Sequence, residues 1–409
     1  MKRPRTQTRR HIAMFSVGAH GHVNPSLDVI RALVARGHRV TYAIPPSFAD
    51  TVAATGAEPR TYTTTLPAPD DPDAWDGQLL DHLRLFLADA GRALPQLLAA
   101  YRDDRPDLIL YDPMAYAARA LADRWHIPAV QLSPHAVPWD GYEEDIAAEL
   151  AARPPGDTTP PAHAWLAQTG LGPGRATRRP DRCLALISTL LQPHPDRVDP
   201  TVYTFTGPCW NTHAPDPQPP WTRPPGTDRK RLLLISLGTL HTHAPDFYRA
   251  CVAAFGGHPD WHVVLQTGRG PALPDALPTN VEAHPWVPQR SVLDQADAFI
   301  THAGASSAHE ALARGVPMVT VPQAADQFGN AALLTGLGIA RHVPKTSATP
   351  ETLRNAVLTL LNDPSLPHHT TRILNHLSTE PGTPRATTLI ESALPQPPSQ
   401  KSPDQTSTV

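Results

Sequence analysis

A chain of 409 residues, with 35 Lys and Arg against 38 Asp and Glu and a formal charge of −3, is long enough for two domains with sizeable cores. The near-neutral balance leaves no electrostatic footprint for nucleic acid, and no apolar run approaches the roughly 20 residues that span a bilayer. Three scattered cysteines, Cys183, Cys209 and Cys251, are odd in number and at no ligand spacing, which fits a reduced, cytoplasmic chain.

Residues 1–10 form a basic leader, expected to be flexible, and the apolar stretch behind it is too short and strand-like for a signal peptide. The first half then alternates β-rich runs, at 11–17, 39–44, 107–111, 129–133, 183–188 and 202–206, with helical stretches. The loop expected at 18–24 carries His20 and His22. Pro25 suits the first turn of a helix whose buried stripe is Leu27, Ile30, Leu33 and Val34. That loop lies at the carboxyl end of a strand, where open α/β sheets bind ligands, and it contains no GxGxxG.

The 49 prolines are well above the usual share of about 5%. Their densest stretch, GPCWNTHAPDPQPPWTRPPG, can be neither helix nor central strand. It sets the expected division: a first domain at 11–207, a linker at 208–230, a second domain at 231–394 and a disordered tail at 395–409. The second half repeats the rhythm, with runs at 231–238, 261–267, 281–287, 298–301, 317–321 and 339–343. Continuous apolar runs such as LLLISLG and WHVVLQTG fit parallel strands buried on both faces. Strand–helix alternation predicts two doubly wound, Rossmann-like α/β domains facing each other across a cleft.

The stretch ADAFITHAGASSAHEALARGVPMVTVPQAADQ carries the most chemistry. It reads as strand, glycine turn, helix, strand and a polar Asp326-Gln327 pair. Gly304 permits a tight turn, and Ser306 or Ser307 can cap the helix that follows. The free amides and positive dipole of that helix start suit a diphosphate, with His302 as an added donor. Blander readings exist: Ser307 to Glu310 is a capping box, and Asp326 is a helix N-cap. His20-Gly-His22 has the look of a metal pair, but no acidic or cysteine partner stands at a ligand spacing.

The pattern THAGxxSxxE followed by VPxxxDQ, with Trp286-Val287-Pro288-Gln289 upstream, resembles the nucleotide-sugar site of family 1 glycosyltransferases of the GT-B fold. HGHVNPSL, ARGHRVTYAIPPSFAD, ISLGT and VPQAADQFGNA are similar to the bacterial macrolide glycosyltransferases. The resemblance runs from about residue 11 to 394 and implies a UDP-hexosyltransferase. Its first motif histidine, here His20, is implied as general base, with Asp112 as the aspartate partner. Trp286, Val287 and Gln289 would hold the nucleoside, and Glu310 would accept from ribose hydroxyls. Thr239, His302, Gly304 and Ser307 would line the diphosphate, Ser236, Gly238 and Ser306 belong to the same donor site, and Asp326 and Gln327 would hold sugar hydroxyls. Met114, Tyr116, Val137, Trp139 and Tyr142 are an apolar and aromatic set suited to a large hydrophobic acceptor.

The implied reaction is inverting and metal-independent, with no cofactor and the UDP-sugar as co-substrate. It moves glucose onto a hydroxyl of a macrolide or similar natural product, as in antibiotic resistance. Two alternatives stand beside it: a biosynthetic transferase using a dTDP-deoxysugar, and a UDP-sugar epimerase on the same fold. Ala308 and Ser306-Ser307 depart from the residues usual in the macrolide group, where serine and glycines are common at those positions.

Overall fold

The computed structural model describes residues 9–67, 79–145, 179–209, 220–239, 242–268, 273, 276–324 and 326–395, with backbone alone for 79–83. They form two wholly parallel sheets. The first has the order β3-β2-β1-β4-β5-β6-β7, from β1 (His11–Phe15), β2 (Arg39–Ile44), β3 (Glu58–Thr61), β4 (Leu108–Tyr111), β5 (Ala129–Ser133), β6 (Cys183–Ala185) and β7 (Tyr203–Phe205). The second has the order β10-β9-β8-β11-β12-β13, from β8 (Arg231–Ser236), β9 (Trp261–Gln266), β10 (Val281–His284), β11 (Ala298–Thr301), β12 (Met318–Thr320) and β13 (Ala340–His342). This is the expected doubly wound pair, and it fits because the continuous apolar runs of β1 (12–15), β4 (108–111) and β8 (232–235), and all of β9, are buried with no in–out alternation, as in strands covered on both faces.

Both sheets reverse their strand order at one point, between β1 and β4 and between β8 and β11. The loops leaving those four strands therefore converge in pairs, the arrangement that makes a binding crevice in an open parallel sheet. Strand β3 escaped the sequence reading. Its sequence, EPRT, has no apolar alternation, and its proline is tolerated because the strand lies at the sheet edge.

Among the described residues the α-helices as far as residue 336 are, in chain order, α1 (His20–Ala35), α2 (Ala49–Ala53), α3 (Leu79–Ala100), α4 (Tyr116–Trp125), α5 (Pro245–Phe255), α6 (Gln289–Leu293), α7 (Ala305–Leu312) and α8 (Gln327–Gly336). The carboxyl end of the chain adds α9 (Pro350–Leu361), α10 (Leu366–Ser378) and α11 (Thr383–Ser392). Helix α1 starts five residues before Pro25, so the segment expected as a loop is the helix's opening turn and Pro25 sits inside it. Its core face is Val23, Val29, Ile30 and Leu33, with Leu27 and Val34 only partly covered.

The two halves exchange segments. Helix α11, expected with the second domain, packs Ala386 and Ile390 into the first core beside Ile30, Leu33 and Tyr42. Its Glu391 accepts from Arg36 at 2.7 Å and meets His38 at 3.2 Å. In return Leu191, from the first half, is buried in the second core with Leu234, Phe299 and Leu312. Arg10 binds Asp107 at 3.2 Å and the Pro395 carbonyl at 3.0 Å, so the last leader residue and the first tail residue are both fixed. The expected linker falls partly outside the described residues, at 210–219. Its remainder folds onto the second domain, where the Trp221 indole donates to Glu282 at 3.1 Å. Among the described residues no helix is long and apolar enough to cross a membrane.

Candidate active site

At the first reversal point, Asp112 follows β4 and is fully buried. Its Oδ1 accepts the Met114 amide at 2.8 Å, and its Oδ2 accepts His22 Nδ1 at 2.8 Å. One carboxylate thus both caps the loop and holds an imidazole. The expected partner was His20, and the structure corrects this. Both histidines lie in the first turn of α1, and residues two apart on a helix do not share a face. His22 faces Asp112, while His20 turns away, its ring 4.9 Å from Phe48 and 5.3 Å from Trp286.

The two rings are tuned in opposite directions. Burial alone would lower the His22 pKa, but the charge and hydrogen bond of Asp112, aided by Asp326 from the second domain, raise it above the ordinary value. Burial lowers the His20 pKa, with a hydrogen bond donated to the Asn24 side chain working against it. The bond to Asp112 also leaves His22 Nε2 as the nitrogen aimed away from the carboxylate.

At the second reversal point the loops after β8 and β11 touch. Gly238 has φ +79, and a Cβ there would lie 2.7 Å from the His302 ring. A Cβ on Gly304 would lie 2.4 Å from His302 Nε2. The imidazole is therefore seated between two glycines, neither of which tolerates a side chain. Ala303, between His302 and Gly304, is held at φ +65, a left-handed conformation that costs energy outside glycine and often marks a ligand loop. Gly304 is the N-cap of α7, with no side-chain capping bond, so Ser306 and Ser307 lie inside the first turn rather than capping it. The free amides of that turn follow the helix start as expected. Ser236 is buried, its hydroxyl accepting the Gly238 amide at 3.1 Å. Thr239 stands half-buried at the end of the same turn.

The Trp286 to Gln289 segment reaches the same crevice. Trp286 is 42% exposed, while Val287 is buried beneath it. Gln289 Nε2 donates to Ser307 at 3.2 Å and to Glu310 Oε2 at 2.6 Å, which joins two expected donor-binding groups directly. Gln327 is turned inward, its carbonyl accepting the amides of Gln323 and Ala324 at 2.8 and 3.2 Å. Asp326 accepts from Asn330 at 3.0 Å and makes no capping bond of its own.

Two supporting residues went unread in the sequence. Gln266 donates to the Gly238 carbonyl at 3.1 Å and accepts the Val287 amide at 3.3 Å, tying the glycine turn to the tryptophan segment. Asn330 donates to the Ala303 carbonyl at 3.0 Å as well as to Asp326, holding the strained loop and the acidic group in one register. Gln266 ends an apolar strand and Asn330 sits in a helix, so no local signal marked either.

The expected acceptor residues separate into two clusters. Met114 and Tyr116 touch each other and line a small cavity with Phe15, Phe86 and Asp89 beneath α3. Trp139 packs edge-on against Tyr142, with centroids 4.8 Å apart, and bonds Asp145 at 2.7 Å. Val137 is not a lining residue: it is 2% exposed, in a core with Cys183, Ile187 and Tyr203. Its apolar character was legible, but its direction was set by the loop, where Gln192 holds its amide at 2.9 Å. Among the described residues no group of three or more His, Cys, Asp or Glu is placed to hold a metal ion.

His309, on α7, ties the site to the first domain. Its Nδ1 donates to the Ala305 carbonyl at 2.8 Å, and its Nε2 accepts the Ser188 amide at 3.0 Å, which requires the neutral ring. Burial lowers its pKa to about 4, against a raising effect from Ala305. A native pKa below the unfolded value of about 6.5 gives stability that is complete above pH 6.5 and is lost as pH falls toward 4. The full linkage is worth roughly 3 kcal/mol. His309→Gln should therefore flatten the fall in thermal midpoint between pH 6.5 and 4, relative to the parent. An equally steep fall in the variant would remove His309 from the account.

Comparison with known proteins fits this geometry. Residues 191–380 match the family model described as UDP-glucoronosyl and UDP-glucosyl transferase. Over 95% of its length the chain is 53% identical to oleandomycin glycosyltransferase of Streptomyces antibioticus, covering 92% of that protein. It is 33% identical to the NDP-glycosyltransferase YjiC of Bacillus licheniformis, over 94% of the chain and 98% of that protein. Among solved structures it is similar to the glycotransferase of kitacinnamycin, with TM-score 0.82 and 44% identity, covering 95% of this chain and 100% of that one. It is also similar to the calicheamicin glycosyltransferase CalG4, with TM-score 0.76 and 32% identity, covering 95% and 98%.

Proposed function

The chain belongs to the UDP-glucoronosyl and UDP-glucosyl transferase family and is a glycosyltransferase of the GT-B fold, and from that premise we propose that it moves glucose from UDP-glucose onto a hydroxyl of a macrolide or similar hydrophobic natural product. The observation that carries the reading is the His22–Asp112 pair on one side of the cleft, facing the glycine-seated His302 and the α7 N-terminus on the other. Membership of a transferase family removes the support for the epimerase alternative. The relationship to oleandomycin glycosyltransferase favours the macrolide acceptor.

In this mechanism His22 Nε2 takes the acceptor hydroxyl proton as its oxygen attacks the anomeric carbon. Asp112 holds the ring's tautomer and stabilises the imidazolium that forms. The bond from the anomeric carbon to the β-phosphate oxygen breaks, and its electron pair leaves with the nucleoside diphosphate. The α7 amides, its dipole and His302 meet the charge that develops there. Base and leaving-group site come from opposite domains, an arrangement that suits attack from the face opposite departure, with inversion of the anomeric configuration. Asp326, close enough to act on the charge of His22, would accept from sugar hydroxyls held between the two.

The reaction is proposed to need no metal, the fixed dipoles supplying the positive field. A matrix of UDP- and dTDP-sugars against macrolides and small phenols, read by mass spectrometry with and without EDTA, tests these points together. The expected result is a gain of one hexose on a macrolide from UDP-glucose, unchanged by chelator. Refusal of every macrolide, a strict demand for a dTDP-deoxysugar, or loss of activity in EDTA that magnesium restores would each overturn the corresponding part.

A further inference from the structure

We infer that His20 is a positioning residue for the donor: it backs Trp286 across the cleft and so joins the nucleoside end of the site to the helix turn that carries the base. The inference rests on the reading that Trp286 packs against the nucleobase. Helix geometry supplies the first step. With His22 committed to Asp112, His20 must point elsewhere, and it points into a gap between Phe48 of its own domain and Trp286 of the other.

The contact geometry supplies the second step. The His20 and Trp286 centroids are 5.3 Å apart at 44°, and the His20 and Phe48 centroids are 4.9 Å apart at 64°. Both fall within the range of about 4.5–7 Å at which rings touch, so no third ring fits between His20 and the indole. The nucleobase must then use the part of Trp286 that remains open, and 42% of that residue is exposed although its neighbour Val287 is buried. One side of the indole is occupied from the first domain, and the rest is left for the ligand.

The ring itself suits a support role better than a charged one. Burial disfavours its protonation, and the edge-on contact with Phe48 fixes its direction. Removing it would let the indole turn and would loosen the cleft at its nucleoside end, while the His22–Asp112 bond on the other face of α1 stays in place.

The test compares His20→Ala, His20→Phe and Trp286→Ala, using UDP binding by calorimetry and steady-state kinetics across pH. His20→Ala should weaken UDP about tenfold and raise donor KM by a similar factor, with a smaller change in kcat and an unmoved pH limb. His20→Phe should recover most of the loss, because it keeps a ring in the gap. Unchanged UDP affinity in His20→Ala, with Trp286→Ala weakened, would overturn this inference alone. Unchanged affinity in Trp286→Ala would instead overturn the nucleoside reading beneath it. A collapse of kcat in His20→Ala that phenylalanine does not rescue would overturn the positioning role and return His20 to the chemistry.

Discussion

His22→Ala should lower kcat by about 10³-fold while leaving UDP affinity close to that of the parent, since a positioned general base contributes roughly 10²–10⁴-fold. The imidazole is the group bonded to Asp112, and it belongs to the domain opposite the one proposed to hold the diphosphate. The pH profile sharpens the expectation. The base must be neutral to act, so activity rises with pH through the His22 pKa, which lies above 6.5 because Asp112 and Asp326 outweigh burial. Asp112→Asn removes the larger of those charges, so the limb should move to lower pH even as kcat falls. The amide can still bond the ring but no longer favours its protonated form or the required tautomer. Near-normal turnover in His22→Ala, or a limb that stays in place in Asp112→Asn, would remove the dyad from the mechanism.

Gly238→Ala should cut kcat/KM for the donor by about tenfold to a hundredfold and weaken UDP in proportion. Two causes act together. The residue sits at φ +79, where an L side chain costs roughly 1–3 kcal/mol, and the new methyl would meet the His302 ring at 2.7 Å. On its far side the ring already lies against Gly304, where an added Cβ would come within 2.4 Å of Nε2, so little room is left for it to give way. Gly336→Ala is the control, because a Cβ there meets nothing within 4 Å and the position is the last of α8. UDP affinity retained in Gly238→Ala would show that this loop does not hold the diphosphate.

Much of this protein was determined by local sequence. The runs LLLI and VVL inside β8 and β9 are apolar without alternation, which a doubly covered parallel sheet accommodates, and strand–helix alternation then points to the doubly wound order. Gly238 and Gly304 were legible as turn residues, and Glu310, Gln289 and Ser307 as polar groups on segments bound for one crevice. Residues whose roles depend on what lies across a gap could not be read in this way. His20 and His22 are equivalent in a loop and become opposite only once α1 begins at His20. Asn330 and Gln266 matter because of the carbonyls they meet, 27 and 28 residues away in the chain. Val137 has the composition of a pocket wall, but the loop turns it into the core. The domain boundary moved for the same reason: α11 follows the second domain in sequence, yet its apolar face finds its complement on α1. Local sequence determines period and conformation, whereas the choice among possible partners is made by the packing of distant segments, and only the tertiary structure decides it.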